Sequence, residues 1–201
     1  MDQAFDNLTA EQKREQFSEY FLIKHPLNVN IQAVQPEQVP AMEALEQHMP
    51  YAFKIAGELA SLEAQSLRPL RNLSSHAAEL TEFLNAQARK IDLMMSYILH
   101  QQDDEEYRYT THRFGGGGIE VFSDEAMEIG SLAELKIFVT EEAAAIFCYA
   151  EVITCEPHSD GYHIAFIFSR IRETDQELLV RASLHLQTQQ LRKRSEQQGN
   201  Q

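Results

Sequence analysis

Few residues in this chain break regular structure, and no segment is apolar enough to enter a membrane. Eight glycines and six prolines accompany 43% apolar residues over 201 positions, so we expect a folded core with disorder only at the ends. The longest apolar run, residues 143–150, is far shorter than a membrane-spanning helix. Residues 1–20 are polar and acidic, unlike a signal peptide. We therefore expect a cytoplasmic protein.

Basic residues are scarce as well. Seventeen Lys and Arg against 31 Asp and Glu give a formal net charge of −14. Such a field repels the phosphates of nucleic acids and of anionic lipids, so we expect no nucleic-acid partner and no membrane insertion. A small anionic ligand remains compatible, because a few local arginines can outweigh a distant negative surface.

Only two cysteines are present, Cys148 and Cys155, seven positions apart in one predicted strand. An odd separation in a strand places two side chains on opposite faces, which predicts free thiols and no disulfide. Free thiols are typical of a reducing cytoplasm.

The first 35 residues predict a short helix followed by a strand. Thr9 and Gln12 have the spacing of a helix-capping box, and Phe17, Tyr20 and Phe21 fall on one face of the predicted helix. Residues 27–34 then alternate apolar and polar side chains, which predicts a strand with one buried face. Because an isolated strand is unstable, we expect it to join the edge of the sheet formed later in the chain.

Residues 36–104 carry no strand signal and consist largely of good helix formers. Pro50 and Pro69 should each begin or kink a helix. Beyond Pro69, ten positions follow alternating steps of three and four, and eight are apolar. They are Leu70, Leu73, Ala77, Leu80, Leu84, Gln87, Ile91, Met94, Ile98 and Gln101.

This heptad stripe predicts an oligomerisation helix. It extends about 45 Å at 1.5 Å per residue, whereas a barrel of this size is only about 25 Å across. A helix longer than its domain favours pairing with other helices, as a tetramer or else a dimer, and Gln87 would fix register and copy number. The alternative is an amphipathic helix that lies across its own barrel.

The remaining chain predicts five strands and a helix, as in a sandwich or small barrel. Asp103, Asp104, Glu105 and Glu106 are interpreted as a solvated helix end and turn, since consecutive carboxylates cannot all face one metal ion. Thr174 with Glu177 predicts a second capping box and a helix that fades after Gln187, where Arg192, Lys193 and Arg194 complement its dipole. Each of the five predicted strands has alternate side chains on one face, which we expect to point inward. They are, strand by strand, Tyr107, Tyr109, Thr111; Ile119, Val121, Ser123; Leu135, Ile137, Val139; Ile146, Cys148, Ala150, Val152; and Tyr162, Ile164, Phe166, Phe168.

Residues 115–186 resemble a PilZ domain. The resemblance lies in Gly117-Gly118-Ile119, residues 123–130, the strands around residues 135–137 and 150–152, residues 161–166 and the closing helix. It implies an α+β fold, a six-stranded antiparallel β-barrel with a C-terminal helix. The segment between strands 1 and 2 would then be a long helical insertion, which resembles an atypical tetrameric PilZ subgroup. We divide the chain into residues 1–35 (helix and first strand), 36–104 (insertion), 105–190 (remaining barrel and helix) and 191–201 (polar tail).

Many PilZ domains bind the bacterial second messenger cyclic di-GMP through Arg-x-x-x-Arg and Asp/Asn-x-Ser-x-x-Gly elements. Counted back from Gly118, Arg113 occupies the acidic position and Gly115 the serine position, and no Arg-x-x-x-Arg precedes the first strand. The nearest pair is Arg108 with Arg113, whose odd separation predicts opposite strand faces unless a bulge intervenes. These departures favour weak or absent binding.

Arg108, His112 and Arg113 form the one cationic cluster that suits such a ligand, although they can instead pair with Glu105, Glu106 or Glu120. The run Gly115–Gly118 lacks the rest of a P-loop and predicts a hairpin turn or bulge with positive φ. His158 and His163 could approach across a hairpin, but nothing indicates a metal site, a cofactor or catalysis. The sequence therefore predicts a non-enzymatic, self-assembling PilZ-like regulator with an unknown protein partner and cyclic di-GMP as candidate ligand; the alternative is an adaptor that binds no nucleotide.

Overall fold

A computed structural model describes residues 8–70 and 78–199. The helices are α1 (Ala10–Glu19), α2 (Leu45–His48), α3 (Tyr51–Leu70), α4 (Ala78–His100) and α5 (Glu173–Gly199). The strands are β1 (Leu22–Lys24), β2 (Asn28–Val34), β3 (Arg108–Gly115), β4 (Gly118–Ser123), β5 (Leu132–Val139), β6 (Ala144–His158) and β7 (Gly161–Arg170). Among the described residues, no helix has the length and apolarity needed to cross a bilayer.

Six strands close into an antiparallel barrel, which confirms the predicted fold class. The order is β3-β2-β5-β6-β7-β4, and β4 pairs again with β3 to complete the ring. The strand β2 lies within this ring, between β3 and β5, and not at an edge as expected. The three-residue strand β1 was not predicted; it pairs with the end of β3 beyond β2.

The helices α2 to α4 are inserted between two neighbouring strands. Val29 of β2 is aligned with Tyr109 of β3, although the whole helical segment separates them in sequence. The period-two pattern of residues 27–34 therefore predicted the right sheet, because its apolar side chains needed the barrel interior. Of its inward positions, Leu27, Val29 and Ile31 are buried, whereas Ala33 near the strand end is exposed.

The barrel interior is filled by one cluster of aliphatic and aromatic side chains. The helix α5 contributes Leu179, Ala182 and Leu186 to this cluster. Burial of each large apolar side chain contributes about 1.5–3 kcal/mol to folding. The strand residues with no exposed surface are Val29, Phe114, Ile119, Val121, Leu135, Ile137, Val139, Ile146, Cys148, Ala150, Ile164 and Phe166.

A second core forms outside the barrel, where the insertion packs on β5 and β6. Phe53 of α3 contacts Phe138 and Phe147 edge to face, with ring centroids 5.8 and 6.4 Å apart. Met95 and Leu99 of α4 are buried in the same cluster. The helix α4 therefore does lie partly on its own barrel, through a stripe adjacent to the predicted heptad positions.

The cysteines are free, but the predicted reason is wrong. Cys148 and Cys155 both contact the interior cluster, since a register shift between Val152 and Thr154 changes the parity of β6. Between them Ile153 turns outward and packs with Phe17 of α1. Seven residues of strand separate the thiols by about 23 Å, so distance prevents a disulfide.

Several helix boundaries differ from the prediction. The capping box of Thr9 and Gln12 is present, but α1 ends at Glu19, which leaves Phe21 exposed and only Phe17 of the predicted face buried. Pro69 lies at the end of α3 and does not begin a helix. Leu70 is therefore the last residue of α3, and Leu73 and Ala77 lie outside the described residues.

The last helix differs at both ends. It begins at Glu173, so Thr174 lies inside its first turn and does not cap it. The side chain of Arg172 bonds Asp175 there, with Nε to Oδ2 at 2.8 Å. The helix runs to Gly199 and does not fade after Gln187, because Gln, Leu, Lys and Arg sustain a helix where glycine and proline are absent.

Candidate functional site

The predicted cationic residues lie on β3, which contains the bulge that sequence reasoning left open. Tyr109 and Phe114, five positions apart, both contact the barrel interior. They can do so because the register with β4 shifts between Thr111 and Arg113. The shift places Arg108 and Arg113 together on the outer face, where a straight strand would have separated them.

Arg108 is bound to the end of the helical insertion. Its Nε donates to both carboxylate oxygens of Asp103 at 2.9 Å, and Nη2 donates to the Asp103 carbonyl at 3.3 Å. Glu105 is a weaker partner at 3.5 Å. The pairing with Glu105 was the predicted alternative to a ligand role; the pairing with Asp103 was not predicted. Arg108 thus joins the first residues after α4 to the barrel.

The carboxylate of Asp103 is a buried anchor and not part of a solvated turn. Its side chain is only 2% exposed, and the amides of Asn28 and Asn30 also donate to it, at 2.8 and 2.9 Å. Burial raises the pKa of Asp103, but the hydrogen bonds from Arg108, Asn28 and Asn30 outweigh it and hold that pKa below its usual value. A phosphate could take Arg108 only by leaving this carboxylate unpaired, which is strongly unfavourable.

Arg113 has a more accessible partner. Its Nη1 donates to Oε1 of the buried Glu120 on β4 at 3.0 Å, as the alternative prediction held. The other carboxylate oxygen of Glu120 lies 3.5 Å from Nε2 of His163 on β7. The side chain of Arg113 is 38% exposed, against 28% for Arg108, so it reaches solvent, and Glu120 would keep His163 as a partner if Arg113 turned to another anion.

His112 belongs to a group of planar side chains beside Arg113. Its ring meets Phe122 and His163 edge to face, at centroid distances of 4.9 and 5.4 Å. Burial, then the fields of His163 and Lys24, lower the pKa of His112, so it favours the neutral ring. We call Arg113, His112, Glu120, Phe122 and His163 the outer cluster. It offers one exchangeable guanidinium and a half-exposed aromatic face, which suits a flat anionic molecule.

The histidine pair of the β6–β7 hairpin is separated by that aromatic ring. Phe122 lies 5.4 Å from His158 and 4.9 Å from His163, between centroids. In residues 8–70 and 78–199, no group of three His, Cys, Asp or Glu side chains has the arrangement of a metal site. Phe122 was not predicted, and Glu120 and His163 were considered only as an ion-pair partner of the arginines and as one of two histidines near a hairpin, because the β4–β7 pairing that assembles them leaves no local signal.

The glycine run makes the predicted hairpin, but for a different physical reason. The residues with positive φ among the described glycines are Gly130 and Gly161, not Gly115–Gly118. A Cβ at Gly117 would instead meet the ring of Tyr20, and a Cβ at Gly118 would meet the backbone carbonyl of Phe166. The run is needed for close approach, since β7 and the chain after α1 pack directly on it.

The predicted seam on α4 is uncovered along its described length. We call Leu80, Leu84, Gln87, Ile91, Met94 and Ile98 the α4 seam. Its apolar members are between 37% and 62% exposed, whereas Met95 and Leu99 on the neighbouring stripe are 4% exposed. Phe83 and Tyr97 are also more than half exposed and widen the apolar surface to about 140° of the helix.

A groove between α3 and α4 continues this apolar surface. Its volume is about 560 Å³. Ala56, Leu59, Ala60 and Leu62 of α3 form one wall, and Leu84, Gln87 and Ile91 of the α4 seam form the other. The seam is therefore one side of a concave surface that a further helix can fill. The contribution of α3 was not predicted, because its own apolar pattern gave no heptad.

The comparisons agree with this architecture. A family model for the PilZ domain matches residues 86–185. The chain resembles a tetrameric PilZ domain protein from Xanthomonas campestris, self-assembled via an unusual helical bundle, with a TM-score of 0.56 and 15% identity over 87% of this chain and 92% of that one. It is also similar to the Bacillus subtilis inhibitor of motility MotI/DgrA, at 16% identity over 85% of this chain and 51% of that one, but a TM-score of 0.44 is too low for an argument from fold. A search of curated proteins found no match.

Proposed function

We propose, on the premise that this chain contains a PilZ domain, that it is a cytoplasmic, non-enzymatic regulator in bacterial cyclic di-GMP signalling that self-assembles through α4. The observation that carries the assembly is the exposed α4 seam with its adjoining groove. A contiguous apolar surface of this extent is typical of a protein interface. The tetrameric relative uses a helical bundle in the same fold, which favours a tetramer over a dimer here.

The regulator would act by binding and presentation. Barrels held at fixed spacing around a bundle of α4 helices would offer their outer faces to a partner protein, whose identity the residues do not specify. The barrel joins the insertion through the second core and through the Arg108–Asp103 bonds, so the spacing would be rigid. The two free thiols suit the reducing cytoplasm.

The assembly is tested by Ile91→Asp and Leu84→Asp. Either change places a charge in an apolar seam of every copy, at a cost of several kcal/mol per oligomer. Sedimentation velocity should show smaller species, while the strand signal in circular dichroism persists. Leu93→Asp is the matched control, since Leu93 is 65% exposed and lies about 140° around α4 from the seam. An unchanged mass for both seam variants would refute assembly through α4.

A second test of the seam uses its polar member. Gln87 lies among apolar seam residues and lines the groove. A lone polar residue at such a position commonly lowers stability while fixing copy number. Gln87→Leu should therefore tighten association or alter the mass of the oligomer, measured by sedimentation equilibrium. No change in either quantity would show that Gln87 faces solvent in the assembled protein.

We further propose that cyclic di-GMP binds weakly or not at all. Arg108 is committed to a buried carboxylate, and Gly115 offers no side chain where ligand-binding relatives place serine. Titration calorimetry with cyclic di-GMP should therefore show no heat of binding, or weak binding whose heat is lost in Arg113→Ala. Arg181→Ala, which removes an exposed guanidinium from α5, is the control. Tight binding that survives Arg113→Ala would show that neither the proposal nor the outer cluster describes the ligand site.

The absence of binding heat in that titration would favour the second candidate function, an adaptor with this barrel and no nucleotide ligand. The same two observations support it, because both ligand elements are degenerate. A pull-down with the purified oligomer as bait should then recover the same partner with and without added cyclic di-GMP. A partner recovered only in the presence of the messenger would instead support the signalling role.

A further inference from the structure

The closing helix α5 carries an apolar stripe that the barrel leaves largely exposed, although Val180 borders Gly116 of the glycine hairpin. Its barrel-facing residues are Leu179, Ala182 and Leu186, whereas Val180, Leu184 and Leu191 are 43%, 52% and 55% exposed. We call these three residues the α5 stripe. Their spacings of four and seven place them on one helical face, about 150° around the helix from the barrel side.

The helix also continues past the barrel surface it packs on. The amide of Gln190 donates to the backbone carbonyl of Lys24 at 3.0 Å, which holds the helix against β1. From there α5 continues to Gly199, a further distance of about 13 Å. Leu191 lies at the start of this extension, so the stripe joins the barrel-bound part of the helix to the projecting part.

The exposed acidic and basic residues of α5 are concentrated at opposite ends of the helix, apart from Arg181 in its middle. Glu173 and Glu177 are exposed at the start of α5, and Arg192 and Lys193 are exposed near its end, followed by Arg194 in the sequence. A second α5 in antiparallel orientation would bring the basic end of each copy against the acidic end of the other. A parallel copy would oppose like charges, which is unfavourable.

We infer that the α5 stripe binds the α5 stripe of a second copy of this chain, with the two helices antiparallel. The pairing that buries all three apolar residues aligns Val180 with Leu191 of the other copy and Leu184 with Gln187. In this register Glu177 of each copy lies at the basic end of the other helix, near Arg192. The contact is isologous, because each copy offers the same surface to the other.

This interface would be distinct from the α4 seam and would complete the proposed tetramer. A tetramer with dihedral symmetry needs two different twofold interfaces, and the chain offers two uncovered helical faces on different elements. The claim that the α5 interface completes a tetramer rests on the proposed function. The α5 pairing itself rests only on the α5 stripe and on the charges of the helix.

Disulfide cross-linking tests the orientation directly. The variant Val180→Cys, Leu191→Cys should form dimers on mild oxidation that separate on reduction, because antiparallel pairing aligns these positions. Val180→Cys alone should not, since in this register the two copies of position 180 lie eleven residues, about 16 Å, apart along the helix axis. The native chain, with its buried Cys148 and its half-buried Cys155, is the background control. Dimers from Val180→Cys alone, or none from the double variant, would overturn the inference.

Charge exchange gives a second, independent measurement. Glu177→Arg or Arg192→Glu should each weaken association, and the two together should restore it, as measured by sedimentation equilibrium at low salt. Weakening by both single changes without restoration by the double change would contradict the register.

The mass of interface variants separates this inference from the assembly through α4. Leu184→Lys should halve the mass of the native oligomer, and its combination with Ile91→Asp should give monomers. If Leu184→Lys leaves the mass unchanged, the α5 pairing is wrong while the α4 assembly stands. If Ile91→Asp leaves it unchanged while Leu184→Lys lowers it, the α4 assembly is wrong and the α5 pairing stands.

Discussion

At the scale of single residues, the most informative side chain is Asp103. Sequence reasoning treated it as one of four solvated acids, because nothing nearby in the chain suggests a buried carboxylate. Its partners Asn28 and Asn30 lie more than seventy positions away and approach only when β2 pairs with β3. Local patterns predict elements well but cannot identify a polar contact that the fold itself creates.

Replacing Asp103 by Asn should destabilise the protein while preserving the size of the side chain. Loss of the charged partner of Arg108 should lower the free energy of unfolding by about 1–3 kcal/mol at neutral pH, measured by urea denaturation. Because its folded pKa is lowered, Asp103 stabilises the fold above the pKa of the unfolded chain, and this contribution is lost as pH falls through the folded value. The difference between native and variant protein should therefore shrink as the pH is lowered to about 2.

Asp104→Asn is the control for that measurement. Asp104 is exposed, and its side chain accepts only from the backbone amide of Glu106 among the described contacts, a bond that asparagine can also accept. The free energy of unfolding of the Asp104→Asn variant should stay close to that of the native chain at every pH. Equal losses for the two variants would show that Asp103 contributes no more than a solvated acid.

The glycine hairpin supplies a second prediction at this scale. Gly118→Ala should cost more stability than Gly117→Ala, because the new methyl group at 118 meets the Phe166 backbone while at 117 it meets the ring of Tyr20. A side chain can rotate away, whereas a paired strand cannot. Thermal unfolding should show a loss of about 1–3 kcal/mol for Gly118→Ala and a smaller loss for Gly117→Ala. The reverse order would contradict this account of the hairpin.

At the scale of elements, the sequence predicted α4 but not which of its apolar stripes faces the barrel. Met94 belongs to the heptad and is exposed, whereas its neighbour Met95 is buried against α3 and the barrel. Both stripes satisfy a helical period, so periodicity alone cannot assign them. Which residues of β6 face inward could not be predicted either, because the bulge near Val152 has no sequence signature. The strand β1 was missed because it is too short to show an alternating pattern.

The adjacent methionines provide a matched pair of substitutions. Met95→Ala removes a buried side chain and should lower the stability of the subunit by about 2–5 kcal/mol in urea unfolding. Met94→Ala should leave subunit stability nearly unchanged and weaken association instead, which sedimentation equilibrium measures. If Met94→Ala destabilised the subunit as much as Met95→Ala, the seam would face the protein's own core.

At the scale of the whole molecule, the barrel and its insertion followed from physical reasoning about a single strand. Residues 27–34 alternate too regularly for a surface tail, and the sheet that could receive them begins only after the helices. The resemblance to PilZ domains then supplied strand number and closure. The outer cluster could not be predicted in full, because it combines side chains from β3, β4 and β7 that only the closed barrel brings together.

The central claim is that the inserted helix joins identical copies, and the mass of the unmodified chain in solution tests it most directly. Sedimentation equilibrium over a wide concentration range should give a closed oligomer of the 23.1 kDa chain, with four copies favoured over two. A single species of 23.1 kDa at every concentration would contradict the claim, because the α4 seam would then remain exposed to water in the native protein.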